Sequence, residues 1–312
     1  MREPFSLPSE TVHPVLGLFR HHAWATRELL RFCSELPPEV LRRADPDVYG
    51  SIEGLFNHIV GAEGRYLHRL DGGEAPVRED NPLALADLAE PARSCAARWE
   101  ALLAADLEPD RIGEHQTRDG TRFRMVDWLG FVQAVHHGQD HRTQVSTSLS
   151  RHGIEAPELS GWVFGDLPQE PGAISPGAEA LLTRFLGHHL WANDRLMRWG
   201  VRLKDEQGEL SALGTYGSIA ATLQHLVFAD HEYLGWLEHP DWATYLRQEH
   251  DFDRLVGSEE GWSPAWAVVV QAVHHGNDHR THVGTVALAN ALEMPDLDVW
   301  SYALAEGAYS EL

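Results

Sequence analysis

Cysteine and positive charge are scarce in this sequence. Its 312 residues contain two cysteines, Cys33 and Cys95. Two thiols exclude both a disulfide framework and a metal centre built from thiolates. Lysine and arginine together number 25 against 47 acidic residues, which gives a formal net charge of −22. Because so acidic a chain repels phosphate groups, we expect neither nucleic acid nor an anionic membrane as a partner.

Long apolar segments are also lacking. No stretch approaches the roughly 18 consecutive apolar residues of a membrane span, and residues 1–14 contain no apolar segment of the secretory type. We therefore expect a cytoplasmic protein whose partner is a small-molecule substrate. Hydrophobic residues nevertheless make up 43% of the chain. This is enough for folded cores, and the length suits roughly two domains.

The chain repeats itself. Residues 133–147 (QAVHHGQDHRTQVST) and 271–285 (QAVHHGNDHRTHVGT) are identical at twelve of fifteen positions, 138 residues apart. Two upstream pairs of segments also match, 21–30 with 188–197 and 49–67 with 216–234, and these lie 167 residues apart. The second copy is therefore 29 residues shorter between its second and last helices.

Each copy has the apolar spacing of helices. In the first copy we predict helices at 15–32, 51–70, 83–105 and 126–150. The pair Asp119-Gly120, in the stretch that the second copy lacks, indicates a hairpin. Four helices per copy predict an all-α protein of two tandem four-helix bundles, with pseudo-dimeric halves that arose by internal duplication. The predicted organisation is an N-terminal arm at 1–12, a first bundle at 13–167, a Gly- and Pro-rich linker at 168–177 and a second bundle at 178–312.

Histidine is abundant, with 20 residues, and recurs at metal-ligand spacing. Two pairs of histidines four residues apart each lie on one face of a helix: His137 with His141, and His275 with His279. Each copy also has a histidine in its second helix, His58 and His225. A bundle can bring this residue beside the pair, giving a three-histidine site with open coordination positions, as in catalytic metal centres. Three imidazoles suit zinc, nickel, copper or ferrous iron.

Polar residues beside these pairs are candidate catalytic residues. Asp140 and Asp278 precede the second histidine of each pair, and each either orients a ligand imidazole or lies on the solvated helix surface. Gln144 and its counterpart His282 lie on the ligand face, where they could contact water or substrate.

Other repeated polar residues have a structural interpretation and a functional alternative. Arg142 and Arg280 are expected to form ion pairs, with anion binding as the alternative. The histidine doublets of the first helices, at 21–22 and 188–189, either pack between helices or line a pocket.

Three motifs, present in the same order in both copies, resemble the DinB/YfiT-like superfamily of metalloenzymes. They are the tryptophan-containing first helix (HHAWATRELL), the histidine of YGSIEGLFNHIVGAE and the string VHHGQDHRTQ. The resemblance covers most of the chain and implies four-helix bundles that bind zinc, nickel or a similar divalent ion such as iron. The ligands that it implies are His58, His137, His141, His225, His275 and His279. Single-domain members often pair as dimers, so we expect either a monomer with pseudo-dimeric halves or a homodimer.

The resemblance and the open site together favour a metal-dependent S-transferase that uses a low-molecular-weight thiol as cosubstrate. Characterised relatives include such transferases and isomerases, and a bound metal can deprotonate a thiol at neutral pH. Two alternatives stay open: a hydrolase that uses water activated by the metal, and a protein that binds or sequesters a small molecule without turnover. Neither cysteine recurs in both copies, so covalent catalysis is not expected.

Overall fold

The computed structural model describes residues 12–46, 48–78, 80–116, 120–238 and 264–311. Within these ranges the chain is mostly helical, which confirms the predicted all-α class, and it carries one small antiparallel sheet. The arm predicted at 1–12 lies outside the described residues except for Val12. No helix in the described ranges has both the length and the apolarity needed to cross a membrane.

The helices of the first half are α1 (Pro14–Ser34), α2 (Pro38–Arg42), α3 (Ile52–Asp71), a 3-10 turn (Leu85–Leu88), α4 (Ala89–Ala104), α5 (Asp127–Arg151) and α6 (Gly161–Gly165). The four long helices α1, α3, α4 and α5 are those predicted from the apolar spacing, whereas the short α2 and α6 were not predicted. Local signals set their ends: Pro14 begins α1, and the Ser51 side chain accepts the Gly54 N–H at the start of α3. Gly72, with φ 75°, ends α3 in the left-handed conformation. Helix α3 packs on α5, and α1 packs on α4.

The second half repeats three of these long helices. Its helices are α7 (Pro176–Glu179), α8 (Leu181–Gly200), α9 (Asp205–Gly208), α10 (Ile219–Glu238), α11 (Ala265–Ala289) and α12 (Val299–Ala305). In the sequence repeat, α8, α10 and α11 correspond to α1, α3 and α5. The fourth long helix predicted for this copy falls in 239–263, outside the described residues.

The predicted hairpin is present, and the end of the chain extends it. Strand β1 (Ile112–Gln116) pairs antiparallel with β2 (Arg122–Val126), and residues 117–119 lie outside the described residues. Strand β3 (Tyr309–Glu311) pairs with the other edge of β2. The C-terminal strand of the second half thus completes a sheet that the first half begins.

One apolar core crosses both halves. The ring centroid of Phe19 on α1 lies 6.1 Å from that of Phe131 on α5 and 6.1 Å from that of Phe185 on α8. Trp266 on α11 packs edge-on against Phe164 on α6, with centroids 5.8 Å apart. Because these contacts bury large aromatic surfaces, the two predicted domains stabilise each other.

Two glycines allow the first helix of each half to approach the last one closely. A Cβ atom at Gly138 would lie 2.3 Å from Cε1 of His22, and one at Gly276 would lie 2.4 Å from Cε1 of His189. These histidine rings therefore lie directly on the backbones of α5 and α11.

The other member of each doublet is buried against a carbonyl group. Nε2 of His21 lies 2.7 Å from the Leu159 oxygen, and Nε2 of His188 lies 2.8 Å from the Leu297 oxygen. Burial lowers the pKa of His21 to about 3 and that of His188 well below its usual value. Both rings are neutral at physiological pH and donate Nε2–H to the carbonyl oxygens.

The buried neutral imidazole of His21 makes stability depend on pH. Its pKa is about 3 in the folded protein, against the ordinary histidine value of 6.5, so the unfolded chain takes up a proton first as pH falls. The contribution of His21 is complete above pH 6.5 and is lost progressively toward pH 3. The slope reaches about 1.4 kcal/mol per pH unit. We expect His21→Gln, which keeps an N–H donor but does not titrate, to reduce the loss of stability between pH 6.5 and 5.5 by about 1 kcal/mol.

Urea unfolding of both proteins at several pH values, in the presence of a chelator, measures this difference. Parallel stability–pH curves for the variant and the wild-type protein would contradict it.

Candidate metal sites

Three histidines converge in the first half. Helix α3 supplies His58, and α5 supplies His137 and His141 from successive turns of one face. Nε2 of His58 lies 3.0 Å from Nε2 of His137. One nitrogen from each of the three rings lies within 4.8 Å of the other two.

The second half contains the same arrangement. His225 comes from α10, and His275 and His279 come from α11. Nε2 of His275 lies 2.9 Å from Nε2 of His225 and 3.1 Å from Nε2 of His279. The structure therefore brings together all six histidines that the sequence assigns as ligands, three in each half.

These groups fit a divalent transition metal. Metal–nitrogen bonds of 2.0–2.1 Å in a tetrahedral site place ligand nitrogens about 3.3 Å apart, close to the observed spacing. Burial lowers the pKa of His141 to about 4 and those of His275 and His279 to about 3. The imidazoles are thus neutral at pH 7, as metal ligation requires.

Gln144 fixes the orientation of one ligand ring. Its Oε1 atom accepts the Tyr49 backbone N–H at 3.3 Å and faces Nδ1 of His141 at 3.0 Å. An amide oxygen such as Oε1 of Gln144 can only accept hydrogen bonds. Nδ1 of His141 therefore carries the hydrogen and donates it to Oε1. The lone pair is then on Nε2, which faces the other two histidines, so Gln144 stabilises the metal-binding tautomer.

The second half lacks this support. His282 replaces Gln144, and Nδ1 of His279 is buried without a hydrogen-bond partner among the described residues. His282 lies beside Asp278 instead, with Nδ1 3.7 Å from Oδ2. The two triads thus share their ligands but differ in what holds the ligand rings.

Tyrosines cover each triad, and sequence reasoning missed them. Tyr49 lies over His58 with ring centroids 4.5 Å apart, and it is 55% exposed. Tyr216 stacks on His225 at 4.6 Å in the second half. The available signal was their shared position in the repeat, since each opens a YGSI motif. Both rings lie at the solvent edge of a triad, where an incoming ligand would pass.

A second pair of tyrosines lies deeper in each half. The Tyr66 ring meets His137 edge-on at 5.9 Å, and the Tyr233 ring meets His275 at 5.8 Å. Burial raises the pKa of Tyr66 and raises that of Tyr233 to about 12. Both phenols are therefore protonated at neutral pH.

Asp140 and Asp278 occupy the contact between the halves. Oδ1 of Asp140 accepts bonds from Asn277 at 2.7 Å and Thr281 at 2.8 Å, both on α11. Oδ1 of Asp278 accepts a bond from Thr143 on α5 at 2.6 Å. Asp140 thus differs from both sequence interpretations, because it neither orients a ligand nor lies on an open helix surface. Burial raises its pKa to about 6.

Arg142 is buried, and His22 lies between its guanidinium and the Glu63 carboxylate. Its guanidinium donates to Nδ1 of His22 at 3.0 Å and to Thr26 at 2.9 Å. Nε2 of His22 lies 3.3 Å from the Glu63 carboxylate. The expected ion pair is therefore indirect, and the guanidinium is enclosed rather than open to an anion.

Arg280 repeats this arrangement in the second half. It donates to Asn193 at 2.7 Å and lies 3.5 Å from Nδ1 of His189. Nε2 of His189 lies 3.1 Å from the Asp230 carboxylate. In both halves an arginine, a histidine and a carboxylate thus tie the three helices together.

A cavity of about 320 Å³ lies between the halves beside the first triad. Its lining includes Asp140, His141 and Gln144 from the first half and Asn277, Thr281 and Asp298 from the second. The volume is within the range of small-molecule sites. A ligand bound there would contact one metal-ligand side chain and both halves.

Comparison with known proteins agrees with this geometry. The family model described as DinB family matches residues 10–170, slightly more than half of the chain. The matched segment contains the whole first triad. The chain matches no curated protein and no solved structure.

The Gln144 contact predicts a difference between two substitutions. Gln144→Leu removes the acceptor for the Nδ1 hydrogen of His141, and we expect it to weaken zinc binding at the first site roughly 10- to 100-fold. Gln144→Glu keeps an acceptor oxygen and should retain most of the affinity. Titration against a chromophoric chelator, in a His279→Ala background that leaves the first triad as the one complete three-histidine group, measures both. Equal affinities for Leu and Glu would show that the contact does not support the ligand.

Proposed function

The chain belongs to the DinB family, and from this membership we propose that it is a metal-dependent enzyme that transfers a low-molecular-weight thiol to a small electrophile. The observation that carries the proposal is the pair of three-histidine groups whose ring nitrogens lie close together. The chemistry of the donor set suits zinc or nickel, with iron as a further option. Three protein ligands leave room for a substrate atom, as in catalytic rather than structural sites.

The metal, when bound, lowers the pKa of a coordinated thiol so that the thiolate is present at neutral pH. The sulfur would then form a bond to the electrophilic carbon, whose leaving group departs with its electron pair. The thiol proton would go to solvent. The histidines hold the site, Gln144 keeps His141 in its binding tautomer, and Tyr49 restricts access of water from the exposed side.

The thiol must come from outside the protein. Burial raises the pKa of Cys33 to about 12 and raises that of Cys95 further. Both side chains are buried in apolar clusters and are protonated at neutral pH. Neither is a nucleophile, so a cosubstrate such as bacillithiol, mycothiol or glutathione would supply the sulfur.

Hydrolysis is less well supported by the same side chains. An attacking water needs a group that accepts its proton, and Asp140 and Gln144 were the candidates in the first half. Asp140 is bonded to Asn277 and Thr281, and Gln144 is bonded to His141 and the Tyr49 backbone. A positioned base is needed more by water than by a thiol that is already ionised, which favours the transferase.

We further propose that the halves arose by tandem duplication and act as an internal dimer. The repeated histidines, tyrosines and arginines occupy matching places in both halves. A small molecule rather than nucleic acid is the partner consistent with the net charge of −22.

Removal of one ligand from each triad tests the proposal. The untagged wild-type protein should contain at least two equivalents of one transition metal, and His137→Ala/His275→Ala should contain about two fewer. Thiol consumption with a chloronitrobenzene electrophile should fall at least about 100-fold in the double variant. Elemental analysis and a spectrophotometric thiol assay with each of the three thiols measure these quantities.

The outcomes separate the candidate functions. Equal thiol transfer with and without metal would contradict the proposal. Ester cleavage without thiol would identify a hydrolase. Tight stoichiometric binding of the electrophile without product would identify a binding protein.

A further inference from the structure

The second half has potential metal ligands beyond its triad. Asp278, His279 and His282 each offer a ligand atom within 4.8 Å of the other two. His279 also belongs to the triad, where its Nε2 faces His275 at 3.1 Å. Its Nδ1 atom remains available for this second group.

Two nitrogens of this group are orphaned. Nδ1 of His279 and Nδ1 of His282 are buried and have no hydrogen-bond partner among the described residues. His279 is 5% exposed. Buried ring nitrogens are normally paired, so two neighbouring unpaired ones indicate a missing ligand. At the matching place in the first half, Gln144 pairs with Nδ1 of His141, so that nitrogen is satisfied.

The carboxylate of Asp278 has one oxygen that faces His282. Its Oδ1 accepts a bond from the Thr143 hydroxyl at 2.6 Å, while its Oδ2 lies 3.7 Å from Nδ1 of His282. In the first half the position that corresponds to His282 is Gln144, so Asp140 has an amide rather than an imidazole at that position. Ligand atoms of one tetrahedral zinc ion are about 3.3 Å apart, so small side-chain rotations suffice to bring these two atoms onto an ion.

We propose that the second half binds an additional divalent transition-metal ion through Nδ1 of His279, Nδ1 of His282 and a carboxylate oxygen of Asp278. The His279 ring then bridges this ion and the ion of the triad. Its Nδ1 hydrogen leaves as a proton to solvent when the Nδ1–metal bond forms. Two imidazoles and a carboxylate suit zinc and copper. The inference rests on the proposed metal binding by the second triad, because His279 is common to both.

Metal counting on the full-length protein tests this site. With Zn²⁺ or Cu²⁺ in equilibrium dialysis, the wild-type protein should bind about three ions, and His282→Gln and Asp278→Asn about two each. Asp140→Asn is the matched control, since it makes the same change in the first half and should keep about three. Circular dichroism verifies that each variant is folded. If either His282→Gln or Asp278→Asn does not fold, the other variant still tests the site.

Copper gives a second readout that does not depend on activity. Two Cu²⁺ ions joined by one imidazolate ring couple antiferromagnetically and lose their paramagnetic resonance signal. In the wild-type protein about one third of the bound copper should give a signal, and in His282→Gln nearly all of it should.

The results distinguish this inference from the proposed function. Two ions in both the wild-type protein and His282→Gln, with full copper signal, would overturn the additional site and leave the triads intact. Fewer than two ions in the wild-type protein would contradict the proposed function as well. Three ions in the wild-type protein and in both variants would place the third ion elsewhere and also overturn the inference.

Discussion

The contact between α5 and α11 is the constraint on which both sites depend. These two helices supply four of the six histidines of the triads, and their facing sides are joined by polar side chains. Asp140 accepts bonds from Asn277 and Thr281, while Asp278 accepts one from Thr143. Removing one partner of such a buried pair leaves the other without a hydrogen bond, which lowers the stability of the protein by about 1–3 kcal/mol. The network therefore favours one register of the helices, and that register fixes where the ligands stand.

The buried arginines extend this constraint to the other helices of each half. Arg142 and Arg280 are enclosed, and an isolated buried charge would be strongly unfavourable. In each half a histidine of the first helix lies between the guanidinium and a carboxylate of the second helix. Because His58 and His225 lie on the second helices, the same links hold the third ligand against the pair. The close approach at Gly138 and Gly276 is what lets these histidines reach the arginines.

The sequence predicted the two three-histidine groups because their constraints are local. A spacing of four residues places His137 and His141 on one helix face whatever else the helix contacts. The repeat then supplied the third ligand, since His58 and His225 recur at one offset. The same reasoning failed for Asp140, although it adjoins His141. One residue along a helix is a rotation of about 100°, and which neighbour lies in that direction depends on how the halves pack.

Other features were beyond reach of the sequence for a related reason. Tyr49 precedes α3 in a loop, where no periodicity predicts the direction of a side chain. Strand β3 lies in the second half and pairs with β2 in the first, and its three residues carry too little pattern to predict a partner. The core shared by Phe19, Phe131 and Phe185 could be predicted as apolar, but not as common to both halves.

The two halves differ beside their ligands rather than at them. Gln139 and Gln144 in the first half correspond to Asn277 and His282 in the second half. Both differences lie beside the histidines of α5 and α11. The side-chain amide nitrogen of Asn277 donates across to Asp140, whereas that of Gln139 donates to Thr143 in its own helix. Asp278 accepts the Thr143 hydroxyl at Oδ1, and its Oδ2 faces His282. His282 makes no hydrogen bond to Nδ1 of His279 among the described residues, so the ring of His279 lacks the support that Gln144 gives to His141. The two triads keep the same histidines and differ in this way because helix spacing sets the triad geometry, whereas the residues one turn away set the hydrogen bonds of the rings.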